Sequence, residues 1–161
     1  MIIKKEKIII IDFGSQVTKL IARRIREFGV LSEILTISEL KKTINFENIK
    51  GIILSGGPST VTKKSFPNIP FEIFEKKIPI LGICYGLQLI AINFGGKVRK
   101  GKNLREFGRA VLKKEKNSLL TTNFYKNNNA EVWMSHQDIV YQLPKQFIKI
   151  ASTKDSKFTI I

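Results

Sequence analysis

The residue best suited to covalent chemistry is Cys84, the single cysteine in a chain of 161 residues. It lies at the centre of Gly82–Gly86, a Gly-x-Cys-x-Gly segment between an apolar run and a helix-like stretch. Glycines at these positions permit a sharp strand-to-helix turn that holds a nucleophile clear of the backbone. Because a helix N-terminus favours the thiolate, we expect a lowered pKa for the Cys84 thiol. The pattern predicts attack of sulfur on a carbonyl carbon.

Two alternatives stay open for this segment when it is taken alone. A lone cysteine is usually a small buried apolar residue. The turn itself is shared by serine hydrolases and other α/β enzymes, which differ in their partner residues. Further motifs are therefore needed to choose a reaction.

A second glycine segment, Gly56–Pro58, follows another apolar run. Ligands bind at the carboxyl edge of parallel sheets, and glycines there let backbone N–H groups approach a ligand closely. We predict that the N–H groups of Gly57 and Tyr85 form an oxyanion hole for acyl transfer. The alternative is an ordinary glycine turn.

The elements that must position these residues alternate along the first part of the chain. Apolar runs rich in β-branched residues predict buried parallel strands at 7–12 and 51–55, residues 78–83 predict a further strand, and 30–35 give a weaker strand pattern. Apolar spacing predicts helices at 16–28, 71–77 and 85–94, with Ser38 as the cap of another short helix. This alternation of strands and helices predicts an α/β fold with a doubly wound, mostly parallel sheet flanked by helices, in one domain spanning 1–161.

Two features refine this fold prediction. In the first helix, we expect one apolar face to pack on the sheet, formed by Val17, Leu20, Ile21, Ile25 and Phe28. After Gly96, short alternating runs predict a small antiparallel layer, with strands at 97–99, 109–112, 131–134 and 147–151. Residues 122–129 read as an exposed loop.

The chain is strongly basic, with 28 Lys and Arg against 13 Asp and Glu and a net charge of +15. The basic residues are scattered, and no nucleic-acid recognition signature accompanies them, so we do not expect nucleic-acid binding. The densest basic stretch, Lys97–Arg109, is a candidate partner surface. No apolar run is long enough for a membrane span, and a lone thiol suits a reducing compartment. We therefore expect a cytoplasmic protein.

Five segments resemble the glutamine amidotransferase (class I) domain of GMP synthetases, a flavodoxin-like fold. The resemblance lies in Ile11–Gln16, Leu54–Pro58, Leu81–Leu89, Arg105–Ala110 and Val132–Asp138. It implies that glutamine is hydrolysed through a glutamyl thioester on the cysteine. It also implies that ammonia passes to a synthetase domain, in cis or in trans, which converts XMP to GMP in purine biosynthesis.

The resemblance further implies which side chains hold the substrate. Gln88, Ser135 and His136 should line the pocket for the α-amino and α-carboxylate groups of glutamine. Gln88 has an alternative as a polar residue on one helix face. Gln137 stands where the family has glycine. No cofactor is expected in this domain, because ATP and magnesium belong to the synthetase domain. The pyrophosphate-binding motif of that synthetase domain is matched here for only three residues, from Ser55.

His136 is the only histidine, and a Cys84–His136 dyad is one reading of the catalytic apparatus. The resemblance implies instead that the catalytic histidine and glutamate belong to a later His-Pro-Glu segment, beyond Ile161. On that reading the domain is incomplete at its C-terminus and its glutaminase activity is weak. The alternative function is a catalytically inactive module that docks a partner.

Overall fold

The structure is a computed structural model that describes residues 5–42, 45–101 and 106–161, the side chain of residue 106 excepted. The chain divides into two compact units, 1–90 and 91–161. Arg105, which belongs to one of the segments that carry the resemblance, lies outside the described residues, as does part of the basic stretch Lys97–Arg109.

The first unit contains a four-stranded parallel sheet, as predicted. Its strands are β1 (Lys7–Ile11), β2 (Leu31–Leu35), β3 (Ile49–Leu54) and β4 (Ile80–Gly82), in the spatial order β2-β1-β3-β4. This is the flavodoxin-like strand order. The middle of the sheet is fully buried, with no exposed surface at Ile9, Ile10, Ile11 and Leu54. Burial on both faces explains the continuous apolar runs.

The first helix, α1 (Thr18–Glu27), is confirmed, but the predicted apolar face is partly wrong. Its buried residues are Thr18 and Ala22, whereas Leu20 and Phe28 are 49% and 85% exposed. The physical reason is close packing through small side chains. Ser32 of β2 donates its hydroxyl to the Ala22 carbonyl at 2.9 Å, which holds the helix too near the strand for larger residues.

The second helix, α2 (Ile37–Lys42), is capped by Thr36, so the prediction that Ser38 caps it is wrong. The Glu39 backbone N–H donates to Thr36 Oγ1 at 3.3 Å, and Thr36 N donates to Glu39 Oε2 at 2.7 Å. This reciprocal pair is a capping box, which the Thr-x-x-Glu spacing encodes. Ser38 lies inside the helix.

The two remaining helical predictions of the first unit differ in helix type. The stretch predicted at 71–77 is a 3-10 helix, Phe71–Lys76, which ends at Lys77 with φ of 56°. The stretch predicted at 85–94 is the α-helix α3 (Tyr85–Asn93). It begins directly after Cys84, so the nucleophile candidate lies at a strand-to-helix junction, as predicted.

The second unit contains antiparallel strands, as predicted. β5 (Lys97–Lys100) pairs with a strand at Asp138–Gln142, while β6 (Glu106–Lys114) pairs with β7 (Asn129–His136). We number the Asp138–Gln142 strand β8; the sequence did not reveal it, because its apolar core is only three residues long.

The predicted strand at 147–151 is largely wrong. Only Ala151–Ser152 forms a strand, β9, which pairs with β6. Ile150 instead accepts two backbone bonds, from Glu115 and Lys116, and its own N–H donates to Ile160. These irregular bonds satisfy the backbone without a ladder. Within 122–129, Asn127 and Asn128 have positive φ in a turn before β7, in agreement with the predicted exposed loop.

In the part of the chain that the structure describes, no helix is both long and apolar enough to cross a membrane.

Candidate active site

The elbow, residues Gly82–Gly86, joins β4 to α3 through a strained nucleophile position. Cys84 has φ of 50°, a left-handed conformation that costs a residue with a side chain about 1–2 kcal/mol. Two backbone hydrogen bonds hold this turn in place. Ile83 N donates to Leu54 O at 2.9 Å, and Gly86 N donates to Ser55 O at 3.1 Å. Strain of this kind persists only where the surroundings enforce it, and it is concentrated at functional sites.

The glycines of the elbow are required by close contacts and not by positive φ, which neither Gly82 nor Gly86 has. A Cβ atom on Gly86 would lie 2.2 Å from the Leu54 carbonyl oxygen. A Cβ atom on Gly82 would lie 2.6 Å from the Gly86 carbonyl. Both distances are shorter than any real contact between such atoms, so α3 approaches the end of β3 more closely than a side chain permits.

The expectation of a lowered pKa for the Cys84 thiol is wrong. The residue is exposed to solvent, yet its thiol is partly covered by protein, and this burial raises its pKa. Desolvation disfavours the thiolate because the charged form loses hydration. The thiol is therefore mainly protonated at neutral pH, and chemistry at Cys84 requires a group that takes its proton.

Tyr85 anchors the first turn of α3 in the core. Its side chain is 1% exposed, and its hydroxyl donates to the Pro67 carbonyl. Its ring lies 5.0 Å from that of Phe13, centroid to centroid, and burial raises the pKa of Tyr85 to about 12. The N–H of Tyr85 is among the first of a helix, where backbone donors have no intrahelical acceptor. Its oxyanion role remains a prediction.

The turn Gly56–Pro58 is packed against the segment that follows β1. A Cβ atom on Gly57 would lie 2.3 Å from the Phe13 carbonyl oxygen, so this position also requires glycine. The buried Ser55 hydroxyl donates to the Gly56 carbonyl at 2.8 Å and accepts the Phe13 N–H at 3.1 Å. The predicted oxyanion donor at Gly57 thus stands on a rigid turn whose first glycine lies beside Cys84.

Asp12, to which sequence reasoning gave no role of its own, organises the segment between β1 and α1. Its Oδ1 accepts from Gly14 N at 2.9 Å, Ser15 N at 3.3 Å and Thr18 Oγ1 at 2.8 Å. Burial alone raises the pKa of Asp12, but these hydrogen bonds and the charge of Lys19 hold it below the usual value. An Asp after a buried strand and before a glycine is a turn signal that identifies this arrangement.

Gln88 lies one turn into α3, and its backbone N–H donates to the Cys84 carbonyl at 3.1 Å. The residue is 7% exposed. Its side chain is therefore buried in the same unit as the elbow rather than displayed on a solvated helix face. Its role in binding glutamine remains a prediction.

Ser135 and His136 belong to the second unit, at the end of β7. Ser135 is exposed and pairs in register with Phe107 of β6, and His136 is half-buried. The turn after them is fixed by Gly101 N, which donates to the Gln137 carbonyl at 2.8 Å. Gln137 does not have positive φ, so a side chain is accommodated where the family has glycine. The pocket roles of Ser135 and His136 also remain predictions.

Among the residues that the structure describes, no group of three or more His, Cys, Asp or Glu side chains has an arrangement suited to a metal ion.

The fold and the elbow define a class of proteins, and comparison with known families identifies it. The family model for class-I glutamine amidotransferases matches residues 9–161. The chain belongs to this family.

Within the family, the curated relatives that the chain resembles are GMP synthases of the glutamine-hydrolysing type. The one from Bartonella bacilliformis is 45% identical over 157 residues, which cover 97% of this chain and 30% of the relative. The one from Bacillus cytotoxicus is 48% identical over 149 residues, which cover 92% of this chain and 28% of the relative. The chain therefore spans less than a third of the length of these relatives.

Solved structures show the same fold. A candidate GMP synthase subunit from Thermoplasma acidophilum aligns with a TM-score of 0.75 at 30% identity, covering 96% of this chain and 76% of that one. A glutamine amidotransferase from Thermotoga maritima aligns with a TM-score of 0.75 at 23% identity, covering 94% of this chain and 68% of that one.

Proposed function

We propose that this chain hydrolyses glutamine to glutamate and ammonia at Cys84, and that the ammonia serves a synthetase domain, in cis or in trans, that converts XMP to GMP. The similarity to glutamine-hydrolysing GMP synthases supports the assignment of this acceptor. ATP and magnesium would act in the synthetase domain. A site that needs a reduced thiol fits the cytoplasm, where we propose that the protein acts.

The observation that carries the proposal is the backbone of Cys84. Its φ of 50° lies between two glycines that cannot carry a side chain, at the junction of a parallel strand and a helix. A buried structural cysteine has no need of such strain. A nucleophile does, because the turn presents sulfur at the carboxyl edge of the sheet, where substrates bind in this fold.

The chemistry follows from the groups at this edge. Once the Cys84 thiol has lost its proton, sulfur attacks the carboxamide carbon of glutamine and an S–C bond forms. We propose that the N–H groups of Gly57 and Tyr85 hold the resulting oxyanion. The C–N bond then breaks as the nitrogen is protonated, ammonia leaves, and water hydrolyses the glutamyl thioester to glutamate.

Because the pKa of Cys84 is raised, this sequence of steps depends on a base. The resemblance assigns that role to a histidine in a His-Pro-Glu segment, which this sequence does not contain. We propose that Gln88, Ser135 and His136 bind glutamine rather than act on the thiol. Replacement of His136 by Ala should then weaken glutamine binding without changing the pH profile of Cys84 alkylation.

A labelling experiment tests the site without requiring turnover. A chloroketone analogue of glutamine should modify Cys84 stoichiometrically, as seen by mass spectrometry, and L-glutamine should protect the thiol whereas D-glutamine should not. Iodoacetamide, which needs no binding pocket, reports the intrinsic reactivity of the same thiol. Equal labelling with and without a large excess of L-glutamine would contradict the proposal. Glutamate release by the chain, compared with Cys84→Ala, then separates an active enzyme from a module that only docks a partner.

A further inference from the structure

The second unit contains a cavity of about 600 Å³ in the segment that links β6 to β7. Its walls are formed by residues between Lys114, the last residue of β6, and Tyr125, and they include part of a short 3-10 helix, Leu119–Thr121. Cavities of this size hold small organic molecules. Among the described residues that wall the cavity, none is acidic and only Lys114 is charged. The cavity therefore favours a ligand that carries negative charge.

The ammonium group of Lys114 has no carboxylate to neutralise it among the residues that the structure describes. Its Nζ lies 5.9 Å from the centre of the Tyr125 ring. Glu115, the acidic residue next in sequence, is engaged elsewhere, because its Oε1 accepts from Lys149 Nζ at 2.6 Å and from Ser152 Oγ at 2.7 Å. The Lys114 side chain is half-buried, so water and salt screen its charge less than on an open surface.

Neutral hydrogen-bond donors of the same walls are also available to a ligand. The side-chain amides of Asn117 and Asn123 make no hydrogen bond to the described part of the chain. The hydroxyl of Ser118 accepts the Leu120 N–H at 3.3 Å, but none of the described residues takes its proton. The two asparagines are exposed, so water occupies their donors until a ligand replaces it.

The hydroxyl of Tyr125 is the donor that most needs an acceptor. It is buried, and among the described residues it has no hydrogen-bond partner. A buried hydroxyl without a partner is destabilising, and a bound ion or ligand is one reason for a native structure to keep such a group. Solvent does not reach the hydroxyl in the described conformation, so a side-chain rotation must accompany its bond to a ligand.

We infer that this cavity binds a small organic phosphate monoester, whose oxygens accept from the Lys114 ammonium and the Tyr125 hydroxyl. A phosphate group suits the walls better than a carboxylate, because its three terminal oxygens can accept from the ammonium, the hydroxyl and the asparagine amides together. The phosphate alone would fill a small part of the cavity. The organic group takes the rest, beside Leu119, whose side chain is 96% exposed.

Calorimetric titration in a phosphate-free buffer tests the inference with three ligands: phenyl phosphate, inorganic phosphate and phenol. Salt at about 0.15 M screens the long-range attraction of any anion to a chain with a net charge of +15. The variants are Lys114→Met and Tyr125→Phe. Lys113→Met is the matched control, because it removes the same charge from the adjacent residue of β6, whose side chain points to the opposite face of the strand.

Phenyl phosphate should bind one site per chain, and more tightly than inorganic phosphate or phenol. Lys114→Met should raise its Kd about tenfold or more, the range for a charged hydrogen bond, and Tyr125→Phe about threefold or more. Lys113→Met should change the Kd by about twofold at most, because an exposed charge outside the cavity is screened. The urea midpoint of Tyr125→Phe should not fall below that of wild type, because the lost hydroxyl had no partner.

Four results would overturn the inference. Equal weakening by Lys113→Met and Lys114→Met would mean that net charge, not the cavity, attracts the anion. Binding of phenyl phosphate without saturation, or no tighter than phenol or inorganic phosphate, would mean that the walls do not select a phosphate monoester. An unchanged Kd in Tyr125→Phe would remove the hydroxyl from the site, and a midpoint well below that of wild type would show that the hydroxyl already has a structural role. Labelling of Cys84 by the chloroketone should be the same in Lys114→Met as in wild type, so these results leave the proposed function standing.

Discussion

Replacing Cys84 by glycine should stabilise the fold relative to replacing it by alanine. Both changes remove the thiol, but only glycine also removes the Cβ atom that makes φ of 50° costly. The left-handed conformation costs about 1–2 kcal/mol. Glycine in turn lowers the free energy of unfolding by about 0.4–1 kcal/mol, because the unfolded chain has greater conformational freedom. The net advantage of glycine is therefore about 0.8 kcal/mol.

Urea denaturation followed by circular dichroism measures this difference. With a denaturant dependence of about 2 kcal/mol per molar urea, the glycine variant should unfold at a midpoint about 0.4 M higher than the alanine variant. The matched pair is Arg23→Gly and Arg23→Ala in the middle of α1, which both lose the ion pair with Glu27. There glycine should be less stable by about 1 kcal/mol, since it is a poor helix former.

The difference in stability between the glycine and alanine variants should thus have opposite signs at positions 84 and 23. If glycine at 84 proves less stable than alanine by the same amount as at 23, then the elbow does not hold Cys84 in the left-handed conformation. The strained nucleophile, on which the proposed function depends, would then be wrong.

Three further results are expected from the same structure. Gly86→Ala should fail to fold or lose several kcal/mol, because its Cβ atom would lie 2.2 Å from the Leu54 carbonyl oxygen, whereas Gly56→Ala should unfold at nearly the wild-type midpoint. Asp12→Asn should lower stability at neutral pH. Because the folded pKa of Asp12 lies below its unfolded value of about 3.8, its stabilisation is present above that pH and is lost as the pH falls through the folded pKa, so wild type and variant should converge in acid. Alkylation of Cys84 by iodoacetamide should rise with pH to a midpoint above that of a free cysteine thiol, and a midpoint below it would contradict the burial of the sulfur.

The sequence by itself determined the elements whose signals are local. Continuous runs of β-branched residues marked the central strands β1 and β3, because strands buried on both faces have no polar alternation. The glycine spacing around Cys84 marked a strand-to-helix turn, because a Cβ atom at Gly82 or Gly86 would clash with the backbone packed against it. The capping box of α2 was also encoded locally, in Thr36 and Glu39, although the interpretation chose Ser38 instead.

Other properties were decided only by contacts between distant parts of the chain. The face of α1 that is buried depends on the close approach of Ser32 to Ala22, which apolar periodicity does not specify. The raised pKa of the Cys84 thiol depends on how much protein covers it, an effect opposite to that of the helix N-terminus.

The proximity of Gly56 to Ser15 and Cys84 likewise exists only in the folded chain, where the three residues follow three different strands. Local sequence fixes backbone geometry through sterics within a few residues. Desolvation, packing distance and the shape of a cavity are sums over neighbours that are remote in sequence, so they are set by the tertiary structure alone.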